Sequence, residues 1–468
     1  MTQQTETGRR RPNVIVFFTD QQRHDTTGVH GCPLDLTPNF DRMATDGTHV
    51  AHSFTCQPVC GPARSCLQTG LYATQTGCWR NGIGLPTHLQ TLAHHFGAAG
   101  YQTGYIGKWH LAQNDGSNAV SQEERGGYNY WLASNALEFT SDAYDCRLYD
   151  NDNAEVKLPG YRVDALTDAA IRFINERQDD PFFLFLSFLE PHHQNHRDDY
   201  PAPDGYAARY AGRWTPPDLA ALPGVGATHV GGTAPQHLPG YFGMVKRLDE
   251  ALGRLLDSLT SLGIRDDTIV LFTSDHGCHF KTRNSEYKRS CHDASIRVPT
   301  AISGACFSGG GRLRELVSLV DLPPTLLDAA GIPIPDEMQG HSILPLLNGS
   351  STKTDWPDEV FIQISESQVG RCVRTHRWKY SVVAPGKDGN SVAESPEYVE
   401  EFLYDLQADS YELTNLVAFA SHAHVRAVLR DRLIARMIAA GEDVPTIEPV
   451  AEQKPGGQRR VTAAEAKD

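Results

Sequence analysis

The chain has 468 residues, 40% of them hydrophobic and 21% charged, and its ten cysteines lack the spacing of a disulfide framework. That is enough chain for two or three domains, or for one large α/β domain with a smaller companion. The formal net charge of -15 argues against nucleic acid or an anionic membrane as partner, so an anionic substrate has to be drawn in by a local positive field.

In chain order, residues 1–12 are polar and are followed by a short apolar run, Val14 to Phe18. A secretory h-region is longer than this. The longest apolar stretch, Phe182 to Leu189, is too short to cross a bilayer. Both features, with cysteines that read as reduced thiols, lead to the expectation of a cytoplasmic protein. Asn13 to Thr19 reads as a buried strand that delivers Asp20 and Gln21 at its carboxyl end. Asp20 is a candidate metal ligand, or else a cap of a turn or helix. Thr37-Pro38 opens a helix that Gly47 closes.

The stretch Cys56-Gln57-Pro58-Val59-Cys60-Gly61-Pro62-Ala63-Arg64-Ser65-Cys66-Leu67-Gln68-Thr69-Gly70 holds the densest chemistry. Pro62 suits a first helical turn and Gly70 a helix end. Cys60 then sits at a helix N-terminus, where free N–H groups and the helix dipole favour an anion, and Arg64 leans back over the same spot. Taken alone, Cys60 reads as a structural thiol or as a low-pKa nucleophile. Paired zinc or iron–sulfur spacing is absent.

Tyr72 to Pro86 is a loop containing Trp79-Arg80-Asn81-Gly82, and Asn81 is either a substrate contact or a turn residue. A helix over Leu89 to Ala99 ends at Gly100, and a strand over Tyr101 to Ile106 leads into Gly107-Lys108-Trp109-His110-Leu111. Lys108 and His110, two apart at a strand end, share one face. Ala112 to Pro159 reads as an irregular insertion at a substrate mouth. Val163 to Gln178 reads as an amphipathic helix, and the buried strand through Leu189 is followed by Glu190-Pro191-His192-His193. Arg197 to Leu238 is a second long loop and a second candidate for specificity. A long helix spans Tyr241 to Leu262, and a strand over Thr268 to Thr273 ends in Ser274-Asp275-His276-Gly277. Glu286-Tyr287-Lys288-Arg289 leads into Ser295-Ile296-Arg297-Val298-Pro299. The alternation predicts a mostly parallel sheet flanked by helices, with the site at the carboxyl ends of its strands. It spans a catalytic domain over 12–350. A smaller α+β domain follows over 351–445, with a helix from His424 to Ala440, and a disordered tail over 446–468.

Cys60-x-Pro62-x-Arg64 with Leu67-x-Thr69-Gly70 resembles the signature of the type I sulfatases of the alkaline phosphatase superfamily, Ala63 standing where serine is usual. Gly107 to Leu111 is similar to the second signature of that family, and Asp275-His276 to the second half of its metal site. The resemblance implies an alkaline-phosphatase-like fold and conversion of Cys60 to Cα-formylglycine by a formylglycine-generating enzyme. It also implies a metal held by Asp20, Gln21, Asp275, His276 and the converted Cys60, with one acid fewer than where two acids stand at 20 and 21. Hard oxygen ligands suit Ca²⁺ first and Mg²⁺ next, while His276 and Gln21 also admit Mn²⁺. By the same resemblance, a hydrated formylglycine held by Arg64 and the metal attacks sulfur. Lys108 and Lys288 counter the sulfuryl charge, and His192 or Lys288 assists the departing alcohol, with His193 the alternative to His192. His110 then takes the second hydroxyl proton, and the diol collapses and expels sulfate, a step a plain serine could not perform. Cys291-His292-Asp293 departs from the family pattern near Lys288.

The implied activity is hydrolysis of a small sulfate monoester to alcohol and inorganic sulfate, by a monomer or a homo-oligomer. Asp20-Gln21 with Asp275-His276 also suits a formylglycine-dependent phosphonate monoester or phosphodiester hydrolase, whereas Lys108-Trp109-His110 is the sulfatase form. A third alternative is a non-catalytic anion- or metal-binding protein with unconverted Cys60.

Overall fold

The computed structural model describes residues 11–113, 118–222, 232–347, 356–451 and 461–467. The larger sheet has ten strands: β1 Asn13–Thr19, β2 Thr48–Phe54, β3 Gln102–Lys108, β4 Tyr130–Ser134, β5 Cys146–Tyr149, β6 Glu155–Leu158, β7 Phe182–Ser187, β8 Thr268–Ser274, β9 Ala301–Ser303 and β10 Gly311–Ser318. Their order is β10-β2-β9-β8-β1-β7-β3-β4-β5-β6. The central five, β8-β1-β7-β3-β4, are all parallel. β1 lies inside that block, between β8 and β7, and is buried on both faces. Val14, Val16 and Phe18 point into one core with Ala63, Leu67 and Phe96. Ile15 and Phe17 point into the other, with Leu166, Phe173, Leu252 and Leu255. A strand covered on both sides needs no polar alternation, which is why it reads as one apolar run.

The insertion over 112–159 is not irregular throughout. Tyr130 to Ser134 forms β4, parallel to β3, and β5 and β6 extend the sheet antiparallel beyond it. The long helix runs Ala234–Ser261, starting seven residues before the expected Tyr241 and carrying Pro239 within it. Of the second loop, Tyr206–Tyr210 and Pro217–Ala221 are helical, and residues 223–231 lie outside the described residues.

The smaller sheet comprises β11 Glu359–Ile364, β12 Gly370–Thr375, β13 Trp378–Val383, β14 Glu397–Asp405 and β15 Thr446–Glu448, in that order. Helix Ala423–Ala439 covers it with Val425, Leu429 and Leu433 against Trp378 and Tyr380. The expected boundary at 350 lies outside the described residues. The expectation of a disordered tail over 446–468 is corrected at both ends of what is described. Thr446–Glu448 pairs in parallel with β14, and Val461 is buried while Trp378 Nε1 donates to the Glu465 carbonyl at 2.7 Å. Three residues are too few to show a strand period, and their partner lies about fifty residues away. None of the ten cysteines is in a disulfide, and among the described residues no helix is long and apolar enough to cross a membrane.

Candidate active site

The sheet's parallel centre sends its carboxyl ends to one edge, and the polar residues seen in the sequence meet there. Asp20 follows β1, Asp275 and His276 follow β8, Lys108 ends β3, and His192 lies just past β7. Gly107 makes this possible for Lys108. It has φ 108° and would place a Cβ 1.9 Å from the Ser187 carbonyl, so no other residue lets β3 lie that close to β7. Cys60 is the first residue of helix Cys60–Thr69, and Gly70 ends that helix in the left-handed conformation at φ 73°.

Cys60 Sγ lies 2.8 Å from Lys288 Nζ, 3.3 Å from His276 Nε2 and 3.6 Å from Asp20 Oδ1. Arg64 is hydrogen-bonded to the strand ends around it. It donates to Asp20 Oδ2 at 3.0 Å, to Ser187 Oγ at 2.7 Å and to the Lys108 carbonyl at 2.9 Å. Lys108 Nζ lies 2.8 Å from Asp20 Oδ2, and Lys288 Nζ lies 3.2 Å from His192 Nε2. His193 stacks on His192 and packs against Tyr287 instead. Of the two histidines, His192 is therefore the one set against Lys288.

The charges are mutually adjusted. Burial opposes ionisation of the Cys60 thiol, but Lys108, Lys288 and His276 together pull it well below the ordinary thiol range. Burial and the Cys60 charge push the Asp20 carboxyl up, yet Lys108, His192 and Arg64 hold it below the usual range. Asp275 goes the other way, to about 7, through burial and the neighbouring Asp20.

Ligand atoms of Asp20, Cys60, Asp275 and His276 all lie within 4.8 Å of one another. Asp275 Oδ2 is buried without a hydrogen-bond partner, and so is Gln21 Oε1. Gln21 adopts φ 67°, donates its backbone N–H to Asp275 Oδ1 at 2.9 Å, and ties its amide nitrogen to Tyr200 Oη at 3.1 Å. Two buried carboxylates, an imidazole and an orphaned amide oxygen form a donor set that fits a divalent cation.

Asn81 lines the same cavity of about 640 Å³, but its Oδ1 accepts from the Gly61 N–H at 2.9 Å, one of the free donors at the helix start. Two acids that the motifs did not flag also reach the site. Glu138, from the insertion, lies 3.0 Å from Lys108. Glu366, from the smaller domain, accepts the Asn81 N–H at 2.7 Å and ion-pairs with Arg289 beside Lys288. Glu366→Ala should therefore loosen both loops at once. The expected result is a stability loss of about 1–3 kcal/mol by urea unfolding and a drop in kcat/KM of about tenfold. Unchanged kinetics would mean that the smaller domain does not shape the site.

The family model for sulfatases matches residues 12–332. The chain belongs to the sulfatase family. A second model, for the C-terminal region of N-sulphoglucosamine sulphohydrolase, matches residues 285–438. An ulvan-active sulfatase of Formosa agariphila is 29% identical over 447 residues, covering 92% of this chain and 82% of that protein. An N-acetylglucosamine-6-O-sulfatase of Bacteroides thetaiotaomicron is 25% identical over 487 residues, covering 88% and 84%. A protein solved in complex with its substrate D-glucosamine-2-N,6-O-disulfate shares the fold, with a TM-score of 0.79 and 24% identity over 93% of this chain and 99% of that chain. This sulfatase is thus a sulfuric ester hydrolase with the mixed α/β architecture of its relatives.

Proposed function

We propose that the protein hydrolyses a carbohydrate sulfate monoester, with the side chain at position 60 as nucleophile. The observation that carries this is the placement of Cys60: at a helix N-terminus, 2.8 Å from Lys288, and at the floor of a cavity open to a sugar-sized acceptor. Conversion to formylglycine would supply, once hydrated, a carbon bearing two hydroxyls: one oxygen takes the sulfuryl group, and loss of the other hydroxyl's proton forms the aldehyde and breaks the carbon–oxygen bond to expel sulfate. Asp20, Gln21, Asp275 and His276 would hold a divalent cation, Ca²⁺ being favoured by the oxygen donors, and it would supply Lewis-acid stabilisation. Lys108 and Lys288 counter the negative charge of the sulfuryl oxygens. Arg64 fixes Asp20 rather than the substrate. His192, held against Lys288, is placed to protonate the departing alcohol, and His110 is placed to accept a hydroxyl proton. The names of the relatives above support a sulfated sugar as acceptor, and ten cysteines outside any disulfide support a reducing compartment. Every residue of the Cys60–Thr69 helix is buried, so a formylglycine-generating enzyme has to read Cys60-Gly61-Pro62-Ala63-Arg64 before this helix docks.

Matched aryl sulfate and aryl phosphonate monoesters test the reading. Inorganic sulfate release at the higher kcat/KM supports it. A large preference for the phosphonate, which Asp20-Gln21 and Asp275-His276 also suit, overturns it.

Chelation gives a further expected outcome. Removing the cation leaves Asp275 buried beside Asp20, whose own charge Arg64 and Lys108 already balance, so the chelated protein should unfold at lower temperature as well as lose turnover. Calcium, magnesium and manganese added back singly are ranked by the recovered Tm. An unchanged Tm would argue against a resident metal.

A further inference from the structure

Glu138 is a buried carboxylate in a cavity that must admit an anion, and the mechanism above does not use it. It belongs to the short helix Leu137–Thr140 and is 3% exposed. Its Oε1 lies 3.0 Å from Lys108 Nζ and 3.8 Å from His110 Nδ1. Its Oε2 is buried and has no hydrogen-bond partner, and His110 Nδ1 is likewise buried and unpartnered. An orphaned carboxylate oxygen and an orphaned ring nitrogen therefore belong to two side chains whose nearest approach is 3.8 Å, each costly to bury alone. Glu138 pairs with Lys108, which also meets Asp20 at 2.8 Å, and its second oxygen is left over for another partner.

The backbone holds the pair rigidly. His110 adopts φ 60°, a strained conformation for a side chain of this kind. The Trp109 and His110 N–H groups donate to the Ser134 and Asn135 carbonyls at 2.9 and 2.8 Å, just before the helix that carries Glu138. On the far side, Gln194 Nε2 donates to the Glu138 carbonyl at 2.8 Å. Lys108, with His110 and His192, keeps the Glu138 carboxyl down at about 2 against the effect of burial, so it is ionised throughout the range in which the enzyme works.

We propose that Glu138 is a positioning residue for His110, its carboxylate accepting the Nδ1–H and so fixing the tautomer that leaves Nε2 free on the Cys60 side. The inference rests on the reading of His110 as a proton acceptor. The hydroxyl proton passes to Nε2, the Nδ1–H stays on its nitrogen and is shared with Glu138, and the carboxylate remains ionised while it stabilises the imidazolium. The Nε2 proton is then returned to water.

Two measurements on the full-length, converted protein test this. The first is a long-range ¹H–¹⁵N spectrum of the wild-type histidine side chains, with His110 assigned by its loss in His110→Gln. A proton on Nδ1 is expected, and an Nε2–H tautomer overturns the proposal whatever the enzyme's activity. The second is a double-mutant cycle on sulfate release. Glu138→Gln should lower kcat by roughly 10²-fold with little change in KM, yet by no more than about twofold when His110 is already alanine. Equal losses in both backgrounds would show that Glu138 acts independently of His110 and would overturn the proposal. A wild-type enzyme that releases no sulfate while showing the Nδ1–H tautomer would count against the sulfatase reading alone.

Discussion

The Cys60→Ser variant is expected to fold normally and to lose steady-state turnover by roughly 10⁴-fold or more, because its nucleophile can be loaded but not unloaded. Serine and cysteine differ little in volume, so the packing of the Cys60–Thr69 helix is preserved. A serine Oγ at this position would occupy the same ring of groups: Lys288 Nζ at 2.8 Å from the present sulfur and His276 Nε2 at 3.3 Å. Attack on the sulfur forms a serine–sulfate bond, breaks the bond to the acceptor oxygen and releases the alcohol. The serine carbon carries no second hydroxyl, so nothing on that carbon can expel sulfate. Intact mass should show one SO₃ unit retained per chain, located to the peptide bearing position 60, with a single equivalent of alcohol released in a burst. Sustained turnover by Cys60→Ser would show that the reaction needs no release step at that carbon. A chain that takes up no SO₃ while still hydrolysing ester would remove position 60 from the chemistry.

How much of this could be read beforehand depends on where each residue sits. β1, β3, β7 and β8 lie at the sheet centre and are covered on both faces. The apolar runs of β1, β7 and β8 are continuous, and a polar residue at the end of such a run stands out. Asp20, Asp275 and His276 were legible at one sheet edge for that reason, Lys108 from its spacing to His110 at a strand end, His192 through the family resemblance, and Cys60 and Arg64 because Pro62 and Gly70 frame their helix. Glu138 and Glu366 were not. A buried acid in a polar stretch carries the same letters as an exposed one, and its burial is decided by partners far along the chain, Lys108 for one and Asn81 and Arg289 for the other. The partners of Arg64 were not legible either: the guanidinium donates to Asp20 and Ser187, which lie 44 and 123 residues away in the chain. The short strands β5, β6 and β15 were missed because they run only three or four residues and owe their form to a neighbour rather than to a period.

Lys108→Ala is expected to damage both stability and catalysis, and the two effects can be separated. The ammonium group is fully buried between Asp20 Oδ2 at 2.8 Å and Glu138 Oε1 at 3.0 Å. Removing one partner of a buried ion pair strands the other, at a cost of about 3–5 kcal/mol. Asp20 keeps Arg64 at 3.0 Å, so the stranded charge is mainly that of Glu138. The pH dependence should follow from that carboxylate. In the wild type its folded-state pKa is about 2, below the ordinary 4.5, so its ionisation stabilises the fold above pH 4.5 and that contribution fades as pH falls towards 2. Without Lys108, burial dominates and the folded pKa rises, turning the same ionisation into a penalty at neutral pH. The gap in unfolding free energy between wild type and variant should accordingly be widest near pH 7 and should narrow as pH falls through 4.5. Adding Glu138→Gln to Lys108→Ala should recover part of the stability, because the stranded charge is gone. Turnover should not recover. A positive group aimed at the sulfuryl oxygens contributes roughly 10²–10³-fold in kcat, and deleting Glu138 does not replace it. Urea unfolding at pH 7 and pH 4.5, with kcat for the single and double variants, decides the matter. A stability gap independent of pH would show that Lys108 does not compensate Glu138, and recovery of kcat in the double variant would mean that Lys108 serves the fold and not the sulfate.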